Sequence, residues 1–229
     1  MSQSDVAIIV GAGQGLSAAL ARLLSAEGAQ VVMAARNVEK LGPLVAETGA
    51  RAVACDASDP DPVEALFADV EAAEGTPSLV IFNPSRRVPG SLIDIDPAEV
   101  ASAIMVSAYG GFLVGQAAAR RMLARGGGTI LFTGASASVK GYAKSAAFAM
   151  GKFALRGLVQ SMARELAPQN IHVAHFVIDG GIRKPGIDDD SGEAKLDPGA
   201  IAKSYLAVHR QDRSAWTWEM ELRPWVENF

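Results

Sequence analysis

Val6-Ala7-Ile8-Ile9-Val10-Gly11-Ala12-Gly13-Gln14-Gly15-Leu16-Ser17 decides the fold. Val6–Val10 is a short continuous apolar run rich in β-branched side chains, the pattern of a strand buried on both faces. The run stops at Gly11. Leu16, Leu20, Leu23 and Leu24 then fall on one face of a helix over about Gly15–Glu27. Gly28 ends it, as glycine does just past a helix C-terminus. A period that switches from strand to helix across a glycine loop is the first half of a β–α–β unit.

The same switch recurs along the chain. Val31–Ala35 reads as a strand and Val38–Thr48 as a helix; Arg51–Cys55 is the third strand, followed by a helix over Pro62–Ala73 and a fourth strand at Leu79–Phe82. A long helix is expected from about Pro97 to Arg125, broken near Gly110 and Gly111. Thr129–Thr133 and Ile171–Ile178 are strands either side of a helix over Ala143–Ala167. Past Asp179 the pattern lapses into a polar loop with Gly180, Gly181, Pro185, Gly186 and Asp188–Asp190, read as a solvated connection in preference to a lid. Asp197-Pro198 starts a helix through His209, and Trp216–Leu222 closes the sheet. Strands alternating with helices predict an α/β fold: a doubly wound parallel sheet of about seven strands in one domain, 1–229.

Composition narrows the function classes. A chain of 229 residues, 49% of them hydrophobic, can bury a core without staples. Its 21 basic and 25 acidic residues leave a net charge of −4, which argues against a nucleic-acid-binding face. Cys55 is the single cysteine, so no intrachain disulfide forms, and a reducing, cytoplasmic setting is expected. No apolar run is read as reaching the roughly 20 residues that span a bilayer. No His/Cys/Asp grouping has metal-ligand spacing, so no metal is expected.

The glycine loop carries the first functional reading. Glycines let a phosphate approach the backbone, and the helix start offers free N–H groups and a positive dipole end. The plainer alternative is a tight strand–helix turn with no ligand. At the first βα turn of such a pattern, dinucleotide binding is the reading carried forward. The spacing is that of Gly-x-x-x-Gly-x-Gly, with Ser17 in the last glycine's place.

On these residues the chain resembles the short-chain dehydrogenase/reductase family, over nearly its whole length. Gly11, Gly15 and Ser17 match the glycine motif, and Asp56 matches the aspartate that holds the adenine ring. In Phe82-Asn83-Pro84-Ser85 only Asn83 is kept from the family's Asn-Asn-Ala-Gly, and Asp179-Gly180 replaces Pro-Gly. The resemblance implies a Rossmann-like fold with 182–229 as the substrate-loop and C-terminal strand region. It also implies a cofactor set of Gly11, Gly13, Gln14, Gly15, Leu16, Arg36, Asp56, Ala57, Asn83 and Lys152. The second strand ends in Ala34-Ala35-Arg36-Asn37, with no acid for a ribose hydroxyl and a guanidinium for a phosphate. NADP is therefore expected ahead of NAD.

The resemblance also implies a Ser, Tyr, Lys and Asn set, and here the chain departs from it. Phe148-Ala149-Met150-Gly151-Lys152 keeps the lysine but has phenylalanine in the tyrosine place, which cannot exchange a proton. Thr133-Gly134-Ala135-Ser136 puts Ala135 at the serine place, with Ser136 and Ser138 nearby, and Ser107 stands for the asparagine. The catalytic candidates are Lys152, Ser136, Tyr142 and Ser107. Tyr109 is expected to be packed, His175 to be a satisfied core histidine, and His172 and His209 to lie at the surface. Two functions stay open: an NADP(H)-dependent oxidoreductase acting on a carbonyl or hydroxyl of a small molecule through a non-standard proton donor, or an inactive dinucleotide-binding module. A homodimer or homotetramer is expected from the resemblance, through the long helices with their small-residue stretches Ala117–Ala119 and Gly151–Ala154. The Trp216–Trp225 tail is expected to be an edge strand packed on a neighbouring subunit.

Overall fold

The computed structural model describes residues 5–184 and 194–227. β1 (Val6–Val10) leads through the glycine loop into α1 (Leu16–Ala26), then β2 (Gln30–Ala35), a 3-10 turn at Glu39–Leu41 and α2 (Gly42–Thr48). β3 (Arg51–Ala54), α3 (Pro60–Ala73) and β4 (Leu79–Phe82) follow. α4 (Pro97–Ile104) continues through a π-helical turn at Met105–Tyr109 into α5 (Gly110–Arg125) and β5 (Gly128–Thr133). α6 (Ala146–Leu166), β6 (Ile171–Ile178), α7 (Pro198–His209) and β7 (Glu219–Leu222) complete the order.

The strands form one sheet in the order β3-β2-β1-β4-β5-β6-β7, parallel at every pairing. The order reverses between β1 and β4, which open a crevice where their carboxyl ends diverge. Two apolar layers flank the sheet because alternate strand residues face opposite sides. Ile8, Val80 and Phe132 face α3, α5 and α6, whereas Ile9, Ile81 and Phe176 face α1 and α7. Each such side chain, fully buried, contributes roughly 1.5–3 kcal/mol of apolar transfer.

Element bounds follow the sequence reading closely, with informative exceptions. The long helix is interrupted at Met105–Tyr109, one step before the expected glycines. Gly110 matters for packing there: a Cβ on it would lie 2.7 Å from the Ala57 carbonyl oxygen. The 29-residue helical run Pro97–Arg125 is, by length and composition, apolar enough to cross a membrane, contrary to the sequence expectation. Its apolarity has a local use, since Val114, Ala118 and Met122 are buried in the core. Ala117–Ala119 and Gly151 are likewise buried within the chain, and a Cβ on Gly151 would meet Ser107 at 2.9 Å.

Three aromatic expectations also need correction. His172 is buried, not superficial: Nε2 donates to the Thr217 carbonyl at 2.8 Å and its ring stacks on Trp216. His209 is partly buried, with Nδ1 2.9 Å from Thr129 Oγ1. Tyr109 is exposed and stacks on the equally exposed Phe112. The expected loop residues Pro185, Gly186 and Asp188–Asp190 lie outside the described residues.

Candidate functional site

Two clefts meet above the carboxyl ends of the strands. The first, about 400 Å³, is lined by Gly11 and Ala12 after β1, Arg36, Asn37 and Lys40 after β2, Asp56 and Ala57 after β3, and Asn83 and Ser85 after β4. The second, about 420 Å³, shares Asn83 and Ser85 and continues to Ser136, Tyr142, Phe148, Lys152 and Asp179.

The first cleft is shaped by backbone. Gly11 has φ +80°, and a Cβ there would fall 2.6 Å from the Pro84 nitrogen, so both conformation and space require glycine. Gly11 and Ala12 N–H both donate to the Ala34 carbonyl at 2.9 Å, tying the loop to β2. Gly13 and Gly15 face open space, with nothing within 4 Å of a Cβ on either. A phosphate could therefore reach the start of α1, where a helix leaves its leading N–H groups without intrahelical acceptors; here Ala18 N–H is already taken by the Gly15 carbonyl at 3.1 Å.

Ser17 has a structural task. Its Oγ donates to the Gly11 carbonyl at 3.2 Å and accepts from Asn83 Nδ2 at 2.7 Å, joining the loop to the end of β4. Gln14 turns outward and donates to the Lys40 carbonyl, while Leu16 points into the core. Arg36 is exposed with no hydrogen-bonded or ion-paired partner among the described residues. Asp56 is held by the N–H and hydroxyl of Ser58 at 3.0 and 2.6 Å, which lower its pKa, with Arg36 adding to the effect. Lys40 joins this cleft although the sequence reading passed over it; its signal was a cation one turn beyond Arg36.

The second cleft is built from side chains. Lys152 is only 2% exposed, and its Nζ donates to the Thr133 carbonyl at 2.7 Å. Thr133 is itself positioned by Tyr205 of α7, whose hydroxyl lies 2.9 Å from Thr133 Oγ1. Burial pushes the Lys152 ammonium down to about 7, so it can give or take a proton near neutrality. Phe148 stands one helical turn before it, with its ring centroid 6.0 Å from Nζ. Tyr142 and Ser136 line the same space, and Tyr142 is 47% exposed.

Ser107 is separated from this group. It is fully buried in the π-helical turn, accepts a hydrogen bond from the Arg86 N–H at 3.3 Å, and lines neither cleft. Ser138 is also buried and accepts from the Ala135 N–H at 3.1 Å. These two hydroxyls hold the framework.

A partly buried polar network lies behind Lys152. Arg156, one turn further along α6, makes a two-pronged contact with Glu219 of β7 at 2.6 and 2.8 Å. His175 Nδ1 donates to the same carboxylate at 3.0 Å. The expectation of a satisfied histidine is half met: Nε2 has no hydrogen-bond partner among the described residues and faces Gly134, where a Cβ would sit 2.2 Å away. Burial pushes the His175 imidazole down to about 4, with Glu219 opposing and Lys152 reinforcing. Glu219 escaped the sequence reading because pairing of β7 with β6 brings it there. Among the described residues no group of His, Cys, Asp and Glu gathers as a metal site.

Comparisons with known proteins agree with this architecture. A family model described as short chain dehydrogenase matches residues 5–190. A short-chain dehydrogenase structure from Rhodopseudomonas palustris is 39% identical, with a TM-score of 0.85 over 96% of this chain and 99% of that one. A metagenomic short-chain oxidoreductase solved in complex with NADP is 30% identical, with a TM-score of 0.86 over 99% of this chain and 100% of that one. An uncharacterized oxidoreductase of Staphylococcus aureus is 28% identical over 230 residues, covering 96% of each chain. With its glycine loop, parallel sheet and buried α6 lysine in place, this chain belongs to the short chain dehydrogenase family.

Proposed function

We propose that this chain is an NADP(H)-dependent oxidoreductase acting on a carbonyl or hydroxyl group of a small molecule, with a proton route that does not use position 148. The observation that carries this is the meeting of the two clefts at Asn83 and Ser85, with Arg36 at one end and Lys152 at the other. The glycine loop, Asp56, Ala57 and Asn83 would hold the dinucleotide, and Arg36 with Lys40 would receive its 2′-phosphate. The similar structure that contains NADP supports that cofactor over NAD. Bound there, the cofactor supplies or accepts the hydride.

Proton transfer falls to this chain's own groups. Lys152 has the pKa for it, and the Tyr142 and Ser136 hydroxyls line the same cleft. Ser107 is a framework residue in this proposal. NADPH titration followed by fluorescence, then a panel of carbonyl compounds followed at the NADPH absorbance, tests the reading. Binding with oxidation supports it; no NADPH binding overturns it. Tight binding with no oxidation favours the second reading, a cofactor-binding module without turnover, whose motivating observation is Phe148 itself.

Association as a homodimer or homotetramer is also proposed. Tyr109, Phe112, Met150 and Phe153 are exposed on the joined long helices, so apolar side chains, not the buried alanines, would form the contact. Sedimentation velocity of the wild type against a Phe112→Ser/Phe153→Ser variant tests this, with dissociation as the expected result.

A further inference from the structure

We propose that Arg87 and the ring of Phe148 form a subsite for an organic carboxylate, so that the molecule bound beside Lys152 carries a carboxylate group. This deepens the reading above and rests on the second cleft being the substrate side.

Arg87 Cζ lies 4.7 Å from the Phe148 ring centroid, and both residues line the second cleft. A guanidinium resting on an aromatic face keeps its in-plane N–H donors for a planar acceptor, and a carboxylate matches that edge with two parallel bonds. Among the described residues no carboxylate comes within ion-pairing distance of Arg87. Its neighbours differ: Arg86 is bound to Glu99, and Lys140 lies 3.5 Å from Asp179. Arg87 is thus a cation facing the cleft with no carboxylate paired to it among the described residues.

The other charges facing this space leave that cation uncompensated. Lys152, when protonated, is a second cation near the same ring. Asp179 lines the cleft but is shared between Lys140 at 3.5 Å and Arg223 at 4.0 Å. Glu227 also lines it and makes no ion pair with Arg87. Ile178 and Ile182 supply apolar surface for the rest of the molecule. An organic acid with an apolar body fits this lining, whereas a bare inorganic anion would leave the apolar wall unused. Phenylalanine at 148 serves the subsite as the platform under the guanidinium.

Calorimetric titration with benzoate and with its neutral counterpart benzamide, at fixed ionic strength, tests the assignment. It is run on cofactor-free and on NADP⁺-saturated protein. Benzoate is expected to bind about tenfold more tightly than benzamide, in line with a charge-assisted two-pronged contact. Arg87→Gln should erase the difference, and Arg87→Lys should keep part of it. Arg87 is exposed and makes no side-chain hydrogen bond among the described residues, so both variants should melt like the wild type. Benzoate binding no better than benzamide, or a preference that survives Arg87→Gln, overturns the proposal. Sulfate competing as tightly as benzoate overturns the organic-carboxylate assignment. Failure of NADP⁺ to bind would strike the cofactor reading alone, because the cofactor-free titration still reports on Arg87.

Discussion

The two halves of the cleft are built in opposite ways. The β1–β3 half is a backbone construction: Gly11 with its positive φ, the open faces of Gly13 and Gly15, and the N-terminus of α1. The other half is assembled from side chains on segments far apart in sequence: Arg87, Ser136, Tyr142, Phe148, Lys152 and Asp179. A backbone cradle tolerates little change at Gly11, where φ and the approach to Pro84 both require glycine. A side-chain wall can exchange residues while the sheet beneath stays the same.

Changes in the two halves should therefore fail differently. Gly11→Val is expected to do the most damage, because it forces a β-branched residue to φ +80° and against Pro84. Strain and overpacking together should cost roughly 3 kcal/mol, read as a lower urea midpoint, with loss of NADPH binding. A variant with unchanged stability would show that the cradle is not rigid. Phe148→Tyr addresses the other half. If the cleft is arranged for hydride transfer, a phenol beside Lys152 should raise reductase kcat/KM by about a hundredfold on a responsive carbonyl substrate. No gain, with NADPH still bound, would favour the binding-module reading.

The buried histidine network predicts an acid limit. The His175 pKa falls from 6.5 in the unfolded chain to about 4 in the fold. Between those pH values the unfolded chain binds a proton that the folded chain refuses. Stability therefore falls as pH drops from 6.5 and levels off below 4, by about 3 kcal/mol in all. Glu219, held below its ordinary value, loses its stabilising charge on acidification in the same direction. Urea midpoints from pH 7.5 to 4.5 should trace this slope, and His175→Gln should flatten it. Some slope should remain, because burial also lowers the pKa of His172 and His209.

The smallest effect belongs to the exposed Arg36. Arg36→Ala should weaken NADPH binding by about tenfold and leave NADH binding nearly unchanged, since a solvated guanidinium–phosphate contact is worth a kcal/mol or two. Equal loss for both cofactors would remove Arg36 from phosphate recognition.

How much of this was legible varied with the range of the interactions. β1, the glycine loop and α1 could be read directly, because apolar period and glycine placement are local properties of the chain. The same holds for Leu79–Phe82, Ile171–Ile178 and Pro198–His209, whose bounds match the structure. His172 looked superficial because its polarity was visible and the stacking Trp216 was not. Ser107 looked catalytic by position, yet its buried hydroxyl serves the Arg86 backbone. The adjacent Arg86-Arg87 pair was visible, but nothing in its spacing told which one would meet Glu99 and which would rest on Phe148.

The sequence alone determined the alternation of elements, the doubly wound sheet, the glycine cradle and the absence of an ionisable group at position 148. Those follow from hydrophobic period and side-chain chemistry, which each short segment carries by itself. Only the tertiary structure decided that Lys152 is buried against Thr133, that Glu219 ties Arg156 to His175, and that Arg87 rests on Phe148 with no ion-pairing partner among the described residues. Each of those facts depends on the dielectric and the neighbours around a side chain, and packing of distant segments creates both.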